Sequence, residues 1–256
     1  MTAAATETDA ALARRIADTA GELLIALRRC NLFDGKALGK VGDRVANAFI
    51  MEALARNRPG DAVLSEEEAA DPARLARQRV WIVDPLDGTR EYGEGRTDWA
   101  VHVALAVDGA PTVGAVAMPG VPATLCTERP PPIAPLGEGP LRMVVSRTRP
   151  AAEAVAVAEK LGAELLPMGS AGAKAMAVVR GEADIYLHSG GQYEWDSCAP
   201  VAVALAAGLH ASRIDGSPLI YNRDNPYLPD LLICRKDQAD EVLRLIAELA
   251  APAPAA

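Results

Sequence analysis

From Thr8 to Arg29 the apolar residues Leu12, Ile16, Leu23, Leu24 and Leu27 recur at helical spacing, which predicts a first amphipathic helix capped by Thr6 or Thr8. The pattern then breaks. Residues 31–42 hold three glycines and no clear period, after which Val45, Phe49 and Leu54 predict a second helix opening near Asp43. Asp43 reads there as the helix cap or as an acid aimed at a site. After a turn at Arg58-Pro59-Gly60-Asp61 the period shortens: Ala62–Leu64 predicts a short strand, and Trp81-Ile82-Val83 the end of a buried one. The apolar runs Trp99–Val107 and Thr112–Met118 flank Asp108-Gly109, a hairpin signal, so the sheet is at least partly antiparallel.

A proline-rich passage from Pro130 to Pro140 carries no period and marks a lobe boundary, with residues 1–140 as an α+β lobe and 141–256 as an α/β lobe. The second half alternates. Strands are predicted at Leu141–Ser146, Glu164–Pro167, Ala183–His188 and Leu231–Cys234. Helices are predicted at Pro150–Leu161, Ala171–Arg180, Ala199–Ala207 and Gln238–Leu249.

Composition narrows the class of protein. At 256 residues, half of them apolar, the chain is long enough for one large domain or two lobes sharing a core. No run approaches a membrane span, and Met1 to Asp9 holds acids without a basic residue, which argues against a secretory signal. The expectation is a cytoplasmic protein without a membrane partner. The formal net charge of −8 disfavours a nucleic acid polymer. Cys30, Cys126, Cys198 and Cys234 are scattered without metal or redox spacing and read as reduced, structural thiols.

Chemistry concentrates at Asp84-Pro85-Leu86-Asp87-Gly88-Thr89. Pro85 fixes its own φ and Gly88 permits a positive one, so the backbone can turn both carboxylates to one side. Like charges that close repel unless a cation sits between them, and oxygen donors, including the Leu86 carbonyl, suit magnesium. Asp-Gly occurs four times in the chain, so by itself the dipeptide signals only a turn. Two further acids stand at element ends: Glu66 after the short strand, and Asp196 near a helix start, where capping is its ordinary role. The histidines His102, His188 and His210 lie in or beside apolar strands and read as structural.

The ordered motifs S-E-E, W-I-V-D-P-L-D-G-T and W-D-S resemble those of the inositol monophosphatase superfamily of lithium-sensitive, magnesium-dependent phosphomonoesterases, over roughly Leu12 to Cys234. Within it, D-P-L-D-G-T-R-E-Y is similar to the D-P-L-D-G-T-K-E-F of the bisphosphate nucleotidases of CysQ type, and Gly169–Met176 to their G-S-S-x-K segment. The resemblance implies a layered αβαβα sandwich, mixed α+β and α/β in class. It implies hydrolysis of the 3′-phosphate of 3′-phosphoadenosine 5′-phosphate to AMP within sulfate assimilation, using about two or three magnesium ions. Inositol phosphate or fructose 1,6-bisphosphate are the rival substrates of the same mechanism, a non-catalytic magnesium-dependent binder the rival of another class. A homodimer is compatible with the resemblance.

Carried onto this chain, the resemblance makes Glu66, Asp84, Asp87, Asp196 and the Leu86 carbonyl metal ligands. Thr89 and Glu66 would orient the attacking water, with Asp43 as a third catalytic group, although Lys40-Val41-Gly42-Asp43 lacks the threonine of the V-T-x-x-D pattern. Gly88, Thr89, Ser170, Lys174 and Asp196 would meet the substrate. Lys174 and Arg147 are candidates for its second phosphate, and Tyr193 or Tyr221 for packing on its base.

Overall fold

The computed structural model describes residues 7–133 and 135–250. Helix α1 (Asp9–Arg29) is capped by Thr8, whose hydroxyl accepts from the Ala11 N–H at 3.2 Å; Thr6 lies outside the described residues. Helix α2 (Gly35–Asn57) follows, then β1 (Ala62–Ser65), β2 (Arg79–Asp87), the short α3 (Thr89–Gly93), β3 (Ala100–Val107), β4 (Ala110–Met118) and β5 (Ala123–Cys126). These five strands form one sheet in the order β1-β2-β3-β4-β5, with β1 parallel to β2 and the rest antiparallel. The predicted hairpin joins β3 to β4 through Asp108 and Gly109, both at positive φ, the geometry that matches strand twist.

The rest of the chain runs β6 (Arg142–Ser146), α4 (Ala152–Leu161), β7 (Glu164–Met168), α5 (Ala171–Val179), β8 (Ile185–Tyr193), α6 (Glu194–Ala206), β9 (His210–Ser212), β10 (Tyr227–Cys234) and α7 (Lys236–Ala250). Their sheet has the order β7-β6-β8-β10-β9, parallel at β6 and antiparallel around β10.

Side-chain alternation along the strands builds the layers. Trp81, Val83, Val101 and Val103 face Leu12, Ile16, Leu24 and Ile50 of α1 and α2, while Val80, Ile82, Ala104 and Val116 face α5 and α6. The other side of α5 and α6 meets Val144, Tyr186, Leu231 and Ile233, and the far face of that second sheet, with Met143, Val145 and Leu187, lies under α4 and α7. The result is the αβαβα sandwich. Because helices cover both faces of each sheet, the strands read as continuous apolar runs and show little alternation in polarity. The four cysteines are free, and three of them are buried.

Three departures from the sequence reading matter for the site. Helix α2 opens at Gly35, so Asp43 is an interior helical residue and not its cap; Asp34 holds the cap position. Its glycines have a packing reason. A Cβ on Gly39 would stand 2.7 Å from Thr89 Cγ2, and one on Gly42 3.0 Å from both Leu86 and Tyr92, so side chains there would push α2 away from the Asp84–Thr89 turn. Each glycine costs a helix about 1 kcal/mol relative to alanine, and the close approach is what that cost secures. Second, β2 does not stop at Val83 but runs to Asp87, with a register skip between Asp84↔His102 and Asp87↔Ala100 that marks a bulge. Third, α6 begins at Glu194, which places Trp195 and Asp196 inside its first turn.

Candidate active site

The bulge in β2 and the first turn of α6 converge. Ligand atoms of Asp84, Asp87 and Asp196 lie within 4.8 Å of one another, with Asp84 and Asp87 buried and Asp196 half-buried. Asp84 Oδ1 is fixed by the Leu86 N–H at 3.0 Å, and Asp196 Oδ2 accepts the Tyr193 N–H at 2.7 Å, so Asp196 both caps α6 and joins the cluster. Glu66, just past β1, lies on a turn exposed to solvent, but its carboxyl group is turned inward against Asp84 and is itself largely buried. Gly88 caps α3 at φ 86°, and a Cβ there would meet Ser170 and Trp99 at 3.2 and 3.3 Å, so glycine is needed on both counts.

The acids do not share one electrostatic state. Burial, and then the neighbouring Glu66 and Asp87 carboxylates, push Asp84 well above the usual carboxylate range. Burial and Asp196 push Glu66 up to about 7, and burial and Asp87 push Asp196 up to about 6. Asp43, inside α2, is pushed up to about 7 by burial and by Glu67. Asp87 goes the other way, to about 2: burial opposes its charge, but His102, Ser170 and the Gly172 N–H outweigh it.

That inversion comes from α5. Asp87 Oδ1 accepts from the Ala171 N–H at 3.0 Å and Oδ2 from the Gly172 N–H at 2.6 Å, with the Ser170 hydroxyl also donating to Oδ2. His102, fully buried on β3, brings Nε2 to 3.2 Å from Asp87 Oδ2, an ion-pair distance without hydrogen-bond alignment. Its Nδ1 lies 3.0 Å from the Trp195 carbonyl. Burial lowers the affinity of this ring for its proton, but Asp87, the Trp195 carbonyl and Asp196 together raise it by more.

On the other side of the turn, Thr89 Oγ1 stands 3.1 Å from the Leu86 carbonyl and 3.3 Å from Asp43 Oδ1. Its single proton serves one acceptor at a time. A cavity of about 680 Å³ opens beside it, lined by Lys36, Lys40, Asp43, Thr89 and Arg90 among others. The β1 end that carries Glu66 is tied to α2, since Ser65 Oγ donates to Asn47 Oδ1 at 2.8 Å and Asn47 Nδ2 to Glu68 at 2.7 Å.

The structure therefore brings Asp43, Glu66, Asp84, Leu86, Asp87, Gly88, Thr89, Ser170 and Asp196 together. Lys174 is placed differently. It is buried, and its ammonium donates to the carbonyls of Gly169 at 3.0 Å and Ser170 at 2.6 Å, which makes it an anchor of that turn. Arg147 is taken up by Glu91 and Glu94. Tyr221 is buried with its hydroxyl 3.2 Å from Ser197, whereas Tyr193 is exposed and stacked on Trp195 at 4.8 Å. Sequence reasoning missed His102 and Gly172. The signal available was a histidine inside an apolar strand, where a polar ring needs a partner.

A crowd of carboxylates that raise one another's proton affinity is a site short of positive charge, and its all-oxygen donor set suits a hard divalent ion. The comparisons agree with this geometry. The model of the inositol monophosphatase family matches residues 6–132 and 135–249. A Mycobacterium leprae protein named 3′-phosphoadenosine 5′-phosphate phosphatase is 51% identical over 94% of this chain and 94% of its own length. The Escherichia coli 3′(2′),5′-bisphosphate nucleotidase CysQ is 32% identical over 73% of this chain and 80% of its own. Among solved structures, CysQ from Bacteroides thetaiotaomicron superposes with a TM-score of 0.79 at 24% identity, covering 89% of this chain and 97% of its own, a likeness of fold. With the acid cluster, the layered fold and a family match running almost end to end, the chain belongs to the inositol monophosphatase family.

Proposed function

We propose that this protein is a magnesium-dependent phosphomonoesterase that removes the 3′-phosphate of 3′-phosphoadenosine 5′-phosphate, giving AMP and inorganic phosphate. The observation that carries the reading is the convergence of Asp84, Asp87 and Asp196 beside Glu66 and Thr89, in a chain half identical to a phosphatase of that name. In this reading the enzyme is cytoplasmic, serves sulfate assimilation and is inhibited by lithium.

Glu66, Asp84, Asp196 and the Leu86 carbonyl would hold the magnesium ions, about two or three of them, and Asp87 keeps a lone pair on Oδ1 for the same purpose. When bound, the ions acidify water and offset the charge that builds on phosphate oxygens during in-line displacement. The protein's own groups do the rest. The Thr89 hydroxyl and Glu66 orient the attacking water, and the Glu66 carboxylate accepts its proton. Asp43 holds the Thr89 hydroxyl in place. The N–H groups of Gly88 and Thr89, which open α3 and lie outside its own ladder, meet the phosphate. Ser170 and Lys174 act on the substrate through the Gly169–Ser170 turn that they stiffen, and exposed Tyr193 offers a ring beside Asp196 for the base.

Phosphate release from equal concentrations of 3′-phosphoadenosine 5′-phosphate, AMP, inositol 1-phosphate and fructose 1,6-bisphosphate tests the reading. The first should be turned over fastest, activity should vanish in EDTA, and magnesium should restore it while calcium does so poorly. Full activity after exhaustive chelation would end the account; a faster rate on inositol 1-phosphate would move the substrate.

A further inference from the structure

His102 sits where no other described side chain connects the same two parts of the site. The carboxylates come from separate layers: Asp84 and Asp87 from β2 of the first sheet, Asp196 from the first turn of α6 in the middle layer. Asp87's remaining donors all belong to α5, and the Asp196 carboxylate's own hydrogen bond stays within its helix start. The imidazole of His102 spans the gap, with Nε2 3.2 Å from Asp87 Oδ2 and Nδ1 3.0 Å from the carbonyl of Trp195, the residue before Asp196.

The surroundings are built for that ring. His102 is wholly buried and pairs in register with Asp84 across the bulge. A Cβ on Gly172 would stand 2.1 Å from Nε2, so the start of α5 leaves a notch that an alanine there would close. A polar ring in an otherwise apolar strand carries a desolvation cost that a leucine or valine would not. Here both ring nitrogens face oxygen acceptors belonging to, or adjoining, proposed ligands.

We infer that His102 is a positioning residue, a strut that fixes the distance between Asp87 and the Asp196-bearing turn and so sets the shape of the metal site. The inference rests on the metal-dependent reading above. Its effect runs through the two acids, since the imidazole itself is wholly buried behind them. Partners of this kind change metal affinity or activity by about 10–100-fold when removed.

The test compares three substitutions in the full chain. His102→Phe fills the notch but donates nothing; His102→Gln is long enough to donate to Asp87; His102→Asn reaches one acceptor at most. Free Mn²⁺ measured by electron paramagnetic resonance gives affinity without turnover, and kcat and KM for the nucleotide are read separately. His102→Phe should weaken Mn²⁺ binding by about 10–100-fold and lower kcat in step, with little change in KM, and His102→Gln should recover most of the affinity. Wild-type affinity and kcat in His102→Phe, or a His102→Gln no better than His102→Phe, would overturn the strut. If His102→Phe does not fold, the comparison passes to His102→Asn, which should bind Mn²⁺ more weakly than His102→Gln; equal binding overturns it. Wild-type protein that binds no Mn²⁺ would instead sink the metal reading, and the strut with it.

Discussion

Asp84 and Asp87 stand three residues apart on one strand, yet one faces acceptors and the other donors. On the β1 side, Asp84 meets Glu66 with Asp196 close by, and protons are held tightly. On the α5 side, Asp87 is surrounded by the Ser170 hydroxyl, two backbone N–H groups and His102, and stays ionised to about pH 2. The difference teaches that identical residue types in one motif divide the labour. The acceptor-lined side needs a cation to be charged at neutral pH, whereas the donor-lined side is held charged by the fold itself.

Substitution should break the comparison most visibly in turnover. Asp84→Asn removes a charge from the side that depends on metal, and the loss of several kcal/mol of transition-state stabilisation corresponds to a rate about 10³-fold lower or worse. The sharper contrast lies in the metal-free protein. Asp84→Asn should raise its Tm at pH 8 by relieving repulsion, while Asp87→Asn should lower it by stranding buried donors, at about 1–3 kcal/mol. Differential scanning calorimetry in EDTA reads both; a fall in both would erase the distinction.

Thr89 comes next. Its backbone N–H survives replacement by alanine while its hydroxyl does not, so Thr89→Ala should keep metal and substrate affinity and lose roughly 10²-fold in rate. Calorimetric affinity set against single-turnover rate decides it. Parallel losses would mean that Thr89 holds the turn and not the water.

The smallest effect is on stability against pH. Glu66, Asp196 and Asp43, with folded-state pKa values raised to about 7, 6 and 7, bind protons more tightly folded than unfolded. Their contribution is complete below about pH 4 and is lost as the pH rises through 6 to 7. Asp87 has the opposite sign: its contribution is present above about pH 4 and fades as the pH falls toward 2. The metal-free protein should therefore melt several degrees lower at pH 8 than at pH 5.5, and magnesium should remove the difference. A metal-free Tm flat across that range would show that the acids are not crowded.

Much of this was legible in the sequence because it was local. The helical period of α1, the apolar runs of β2 to β4 and the Asp84–Thr89 turn each declare themselves within a short window. The start of α2 was not legible, since Gly35, Gly39 and Gly42 read as loop while the reason for the last two, the approach of Thr89 and Leu86, lies some fifty residues on. The donors around Asp87 come from α5, more than eighty residues away, and no window on the Asp84–Thr89 turn contains them. Lys174 looked like a phosphate contact by motif, yet the turn of the helix carries its ammonium inward to two carbonyls. Short edge strands such as β5 and β9 have too few residues to show a period.

The middle helical layer has a consequence for how the chain is made. Ile82 and Val116 of the first sheet are covered by Ala199 and Val203 of α6, which also meets Ile233 of the second. A nascent chain that has cleared the ribosome only to residue 140 already holds Asp84 and Asp87, but its inner sheet face lies bare until α5 and α6 arrive. Such an intermediate exposes apolar surface and unpaired strand edges, the form in which a growing polypeptide needs a chaperone or aggregates. Since Asp196 arrives on the helix that covers that face, a chain that ends before α6 lacks both the cover of its inner sheet face and one of the three clustered acids.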